Sequence, residues 1–204
     1  MDIARVVRDE VSRLVASTAY ETHREDHFTV ILFAQLWPVL QERLLYSTGL
    51  GLDPLLSKIK DSETDHLRQT RLPKTKDFYP DLIITAPLNG VCRKSTIGID
   101  HFIDQLNVTH LYEFKYLTSF PTLPRGDARE DTYKLKILGE YVRVATGQLP
   151  HLEQFIVMTN RPAKRTHTIE SLQSWFNDEQ IKIETEGVQV SIMDTAGGIH
   201  TGKV

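Results

Sequence analysis

One passage in the second half of the chain limits the fold most. A strand-like run, Val108–Leu117, is followed by a helical stretch from about Asp127 to Ala145, and then by a buried-type strand, Gln154–Thr159. A strand–helix–strand unit carries the chain back across its own sheet, so the two strands lie parallel and the crossover is expected to be right-handed. A chain built around such a unit folds as a sheet covered by helices, not as a helical bundle or a β-sandwich.

The remaining segments extend that layer. Ile3, Val6, Val7, Val11, Leu14 and Val15 recur at helical spacing over about residues 2–18. A second, very apolar helical pattern runs from about His23 to Tyr46, with Pro38 expected to bend or divide it. Gly49 to about Tyr79 is polar and charged and reads as irregular structure or short helix. Asp81–Ala86 and Ile97–Phe102 are strand candidates, Phe120 to Gly126 a loop, Thr168–Phe176 a short helix, and Ile181–Met193 one or two final strands. The expected class is α/β (α+β), with a central mixed sheet flanked by helices. Residues 1–204 are read as one domain, with an N-terminal helical extension over about 1–20 and a loose tail over about 195–204.

Composition removes several function classes. The chain has 204 residues, 40% of them hydrophobic and 25% charged, enough for a real core. No apolar run reaches the roughly 18 residues a membrane span needs, and the N-terminus lacks the apolar stretch of a signal peptide. With a single cysteine, Cys92, there is no internal disulfide and no cysteine-based zinc site, which points to a reducing cytoplasm. The net charge of −3 argues against a general nucleic-acid coat, yet leaves room for a local basic cleft. Neither a phosphate-binding glycine loop nor a dinucleotide fingerprint is present, and His23 and His27, four apart, have no evident third partner.

Chemistry concentrates in HLYEFKYL, residues 110–117. Strand alternation puts Leu111, Glu113, Lys115 and Leu117 on one face and Tyr112, Phe114 and Tyr116 on the other. A charged pair thus sits between apolar neighbours, unlike an ordinary solvated face. In YPDLIITAP (79–87), Asp81 opens an otherwise apolar strand and would meet Glu113 if the two strands pair. Two carboxylates on neighbouring strands beside a lysine meet the needs of phosphodiester hydrolysis: oxygen ligands for a divalent cation, an activated water, and a positive group near developing charge.

These residues resemble the PD-(D/E)XK, or restriction-endonuclease-like, nuclease superfamily: Pro80-Asp81 matches its PD element and Glu113-Phe114-Lys115 its E-x-K. The resemblance extends over about residues 22–162. It takes in a helix with Glu25 near its start (Glu42 being a weaker candidate), the pattern Asp131-Thr132-Tyr133-Lys134-Leu135, and the strand end FIVMTNRP. It implies a restriction-endonuclease-like core and a Mg²⁺-dependent endonuclease, with Mn²⁺ as a substitute, acting on DNA ahead of RNA. Asp81, Glu113 and the Phe114 carbonyl would hold the metal, while Glu25 and Lys115 would complete the catalytic set. Lys115 would orient the attacking water or stabilise the phosphate, and Lys134 would contact substrate phosphate. Asp100 and Asp104, closer in sequence to Glu113, are alternatives for the first acid. Asp127, Asp131 and Lys134 also read as dipole and surface pairs of their helix. A homodimer is a further expectation for cutting two strands, and the alternative function is a catalytically idle nucleic-acid-binding or assembly protein of the same fold.

Overall fold

The computed structural model describes residues 1–17, 25–46, 50–51, 77–78, 80–87, 108–117, 125–158, 169–178, 186–194 and 199–202. The expected strand Ile97–Phe102, Asp100, Asp104, Cys92, His23 and the basic segment from Lys58 to Lys76 lie outside these residues.

Helix α1 spans Ile3–Ala16. Asp2 caps it by accepting the Arg5 N–H at 3.1 Å, which satisfies one of the free amides of the first turn. Its buried stripe of Ile3, Val7, Val11, Leu14 and Val15 is the one expected from spacing. Helix α2 spans Glu25–Leu40 and is apolar on nearly every side, with Phe28, Leu32, Leu36 and Leu40 buried one turn apart. Pro38 sits inside its last turn without dividing it. The helix does not reach Tyr46 as the spacing suggested. Gln41 turns the chain with a φ of 46°, and Leu44–Tyr46 become strand β1 because their backbone pairs with another strand.

The main sheet has six strands in the order β1-β4-β5-β6-β7-β8. Its members are β1 (Leu44–Tyr46), β4 (Leu82–Thr85), β5 (Val108–Leu117), β6 (His151–Met158), β7 (Gln189–Asp194) and β8 (Ile199–Gly202). Strands β2 (Leu50–Gly51) and β3 (Asp77–Phe78) form a separate antiparallel pair. The β5/β6 and β6/β7 pairs are parallel, and β1/β4, β4/β5 and β7/β8 are antiparallel, so the sheet is mixed and the class α+β. Helix α3 (Arg125–Thr146) makes the crossover between β5 and β6, and α4 (Ile169–Phe176) lies between β6 and β7 in sequence. The end of the chain is less loose than its composition suggested: Ile199–Gly202 add an edge strand by backbone pairing with Val190–Met193, which no side-chain pattern advertises.

The two sheet faces differ in their cover. One packs against α1 and α2 through Leu82, Ile84, Tyr112, Phe114, Phe155, Val157 and Met193. Phe114 stacks on Phe155 at 5.4 Å between ring centres and meets Phe28 of α2 at 5.7 Å. The other face packs against α3. There Gly139 lies tight against Leu152: a methyl group in its place would come within 2.6 Å of a Leu152 side-chain carbon, so the leucine would have to shift. No helix among the described residues is long and apolar enough to cross a membrane.

Candidate active site

Residue parity on β5 decides which chemistry faces which layer. Since Tyr112 and Phe114 point into the α1/α2 core, Glu113 and Lys115 point to the α3 side. Glu113 is buried there at 8% exposure, and Lys115 is half-buried.

Asp81 reaches the same place from β4. Leu82 pairs with Tyr112 and Ile83 with Leu111, so continuing the antiparallel register sets Asp81 opposite Glu113. The contact is direct: the Phe114 N–H donates to Asp81 Oδ2 at 2.8 Å. The local sequence explains why a side chain takes this role. The next residue in register with Phe114 is Pro80, which has no N–H and cannot complete a ladder pair. In an antiparallel pair the N–H and C=O of one residue point the same way. The Phe114 carbonyl is therefore aimed toward the side on which Asp81 lies.

Helix α3 adds a second layer of charge. Lys115 Nζ lies 3.2 Å from Asp131 Oδ2, while Asp131 Oδ1 lies 3.4 Å from Lys134 Nζ. Lys134 also lies 3.4 Å from Glu130. Asp131 is buried at 8% exposure, so it is not one of the surface pairs that its helical spacing suggested. Lys134 is engaged by two carboxylates of its own helix. The helix is tied to the sheet just beside this point: buried Gln154 of β6, the register partner of Glu113, donates from Nε2 to the Ala128 carbonyl at 3.1 Å. Its Oε1 accepts from the Thr132 hydroxyl, which also lies 2.8 Å from the Ala128 carbonyl.

Among the described residues, Asp81 is bonded to the Phe114 amide and lies in register with Glu113, Lys115 shares the face of Glu113 two residues on, and Lys134 is linked to Lys115 through Asp131. Glu25 is the first residue of α2, and Glu42 falls in the short 3-10 turn after it; their side chains, like that of Asp127, lie outside what the structure describes. Gln154, Thr132 and the inward contact of Asp131 escaped the sequence reading. Their signal was a polar residue within an otherwise apolar strand and a helix face that carries Ala128, Asp131, Thr132 and Leu135 together.

The donor set suits a hard cation. Asp81, Glu113 and the Phe114 carbonyl supply only oxygen, and magnesium ordinarily takes one or two carboxylates and fills its shell with water and phosphate. Among the described residues, no group of three or more His, Cys, Asp or Glu side chains is gathered as a metal cage, as a zinc site would require.

A second polar cluster lies on the opposite face. Glu153, fully buried, receives Arg8 Nε of α1 at 2.9 and 3.1 Å and the Ser191 hydroxyl at 2.6 Å, and His151 Nε2 lies 2.9 Å away. Burial pushes its carboxyl up, but the hydrogen bonds from His151, Arg8 and Ser191 outweigh that and hold it below the usual range. Neighbouring His110 is lowered to about 4 by burial, with the positive charges of His151 and Arg43 adding to it. Burial also raises the Tyr112 hydroxyl, helped by the charge of Glu153. This cluster fastens α1 to β6 and β7, since Arg8 also donates to Gln189 at 2.7 Å.

No family model, curated protein or solved structure matches the chain.

Proposed function

We propose that this protein is a metal-dependent phosphodiester hydrolase of the PD-(D/E)XK type, an endonuclease acting on DNA ahead of RNA. The observation that carries the reading is the hydrogen bond from the Phe114 N–H to Asp81, which ties one acid of the candidate site to the middle residue of Glu113-Phe114-Lys115. Asp81, Glu113 and the Phe114 carbonyl are the residues that would hold Mg²⁺, or Mn²⁺ in its place. When bound, the metal would supply Lewis-acid polarisation of a phosphoryl oxygen and lower the pKa of a water.

The chain's own residues supply the rest. A water oxygen forms the new bond to phosphorus while the opposite ester P–O bond breaks, and the proton that the water gives up is balanced by the one the departing oxygen takes up from solvent. Lys115, on the face and side of Glu113, offers a positive charge where the pentavalent phosphate accumulates negative charge. Lys134, drawn toward Glu130 and Asp131, is the candidate for a more distant contact to substrate phosphate. Glu25, at the start of α2, completes the proposed catalytic set. A homodimer acting in the cytoplasm fits two-strand cutting.

The test is incubation with supercoiled, linear and single-stranded DNA and with RNA, in Mg²⁺, Mn²⁺ or EDTA, beside Glu113→Ala. Cleavage that needs metal and falls at least about a hundredfold in the variant supports the reading. Absence of both cleavage and calorimetric metal binding would leave a fold that binds or assembles without chemistry.

A further inference from the structure

Lys115 and Asp131 come from consecutive elements, yet they meet only because α3 is locked in register over β5. Thr132, the residue after Asp131, and Gln154, the register partner of Glu113, form that lock together with the Ala128 carbonyl. The strand position that faces Glu113 on one side therefore sets where Asp131 stands over the sheet. Asp131 then divides its two oxygens: Oδ2 to Lys115 at 3.2 Å and Oδ1 to Lys134 at 3.4 Å. Its side chain is 11% exposed and that of Lys115 21%, so the pair is mostly shielded from solvent, where a carboxylate holds an ammonium group better than it does on an open surface.

A carboxylate so occupied is badly placed to serve as a metal ligand. Both of its oxygens already face cations, and a divalent ion would have to displace one of them. A lysine on a four-carbon stem, by contrast, has several rotamers, and a phosphate-stabilising charge is useful only where it is held. We propose that Asp131 is a positioning residue of the site, which anchors the Lys115 ammonium on the face of β5 it shares with Glu113, while its other oxygen is braced by Lys134. The inference rests on the metal-dependent phosphodiesterase reading for its catalytic consequence, but the anchoring itself does not.

The experiment compares Asp131→Asn, Asp131→Glu, Lys115→Ala and the double variant Asp131→Asn/Lys115→Ala in the full chain. Asp131→Asn is expected to lower kcat about 10- to 100-fold, with the KM for DNA and the calorimetric Mn²⁺ affinity unchanged. Asp131→Glu should recover part of the loss. In the Lys115→Ala background, Asp131→Asn should add less than about twofold, because its effect runs through that lysine. A drop in Mn²⁺ affinity comparable to that of Glu113→Ala, or a full additional loss in the double variant, would overturn the proposal.

A second readout needs no turnover. Brief acylation of lysines followed by mass spectrometry should show Lys115 about tenfold more reactive in Asp131→Asn than in the wild-type protein, since the contact with Asp131 holds its amine in a mostly shielded place from which the longer reach of the free side chain would release it. Unchanged labelling of Lys115 overturns the anchoring whatever the cleavage assay reads. Increased labelling in a protein that never cleaves with metal refutes the nuclease reading and its catalytic consequence, and leaves the contact established.

Discussion

Acidification is expected to weaken this protein through His110, and the size of the effect follows from where that residue sits. His110 lies on the α1/α2 face of β5, its ring 6.0 Å from Tyr112 and 5.4 Å from His151, with Nδ1 2.9 Å from the Thr109 hydroxyl. Burial, and then the charges of His151 and Arg43, lower it from 6.5 to about 4. A folded-state value below the unfolded one means that between those two pH values the unfolded chain binds the proton and the folded one does not. The stability is therefore complete above pH 6.5 and is lost as pH falls toward about 4. At full strength the difference is about 3 kcal/mol, and because the imidazole remains partly open to solvent we expect about 1–2 kcal/mol. Urea unfolding of the wild-type protein and His110→Phe across that window measures it. The phenyl ring keeps the packing and cannot titrate, so the variant should lose about 1–2 kcal/mol less on acidification. Parallel stability curves for the two proteins would refute the reasoning. Glu153 acts in a lower window: its folded value lies below 4.5, so its contribution is present above pH 4.5 and is lost beneath it.

Three further outcomes are expected. Arg8→Met should cost about 2–3 kcal/mol in urea unfolding, less than a fully buried pair because the Arg8 side chain is 26% exposed and Ser191 and His151 still face Glu153; a loss under about 0.5 kcal/mol would argue that the cluster is not what fastens α1. Asp81→Asn keeps an acceptor for the Phe114 N–H but removes the charge. It should therefore change stability by less than about 1 kcal/mol while weakening Mn²⁺ binding at least about tenfold by calorimetry, and an equal stability loss in Asp81→Asn and Asp81→Ala would contradict this. Thr132→Val should cost about 1–3 kcal/mol by stranding the Gln154 carboxamide oxygen, and Thr132→Val/Gln154→Leu less than the two single changes together, as a double-mutant cycle in urea can read.

Much of this architecture was legible in the residues alone, because it depends on local periodicity. Alternation in Val108–Leu117 separates Glu113 and Lys115 from Tyr112 and Phe114, and the apolar stripe of α1 marks its buried side without reference to any partner. The strand–helix–strand passage likewise implies parallel β5 and β6, which the register from His110↔His151 to Leu117↔Met158 bears out. The chemistry of Asp81, Glu113 and Lys115 was visible as residue types in order, but not as neighbours.

Tertiary structure decided everything that depends on pairing across a distance. Nothing in the spacing makes Asp81 and Phe114 neighbours; the register of β4 on β5 brings Asp81 to the Phe114 amide. Leu44–Tyr46 continue a helical pattern and become a strand because Leu82–Ile84 offer a free edge; Ile199–Gly202, read from composition as a loose tail, pair against β7. Asp131 and Lys134, three apart, read as a surface pair, although Asp131 shares its helix face with Ala128, Thr132 and Leu135. The packing of α3, tied down at Thr132 and Gln154, turns Asp131 inward onto Lys115. Glu153 and Arg8, 145 residues apart, find each other only once α1 lies on the sheet. Side-chain periodicity is a property of a few neighbouring residues, whereas register, burial and ion pairing are properties of the folded whole.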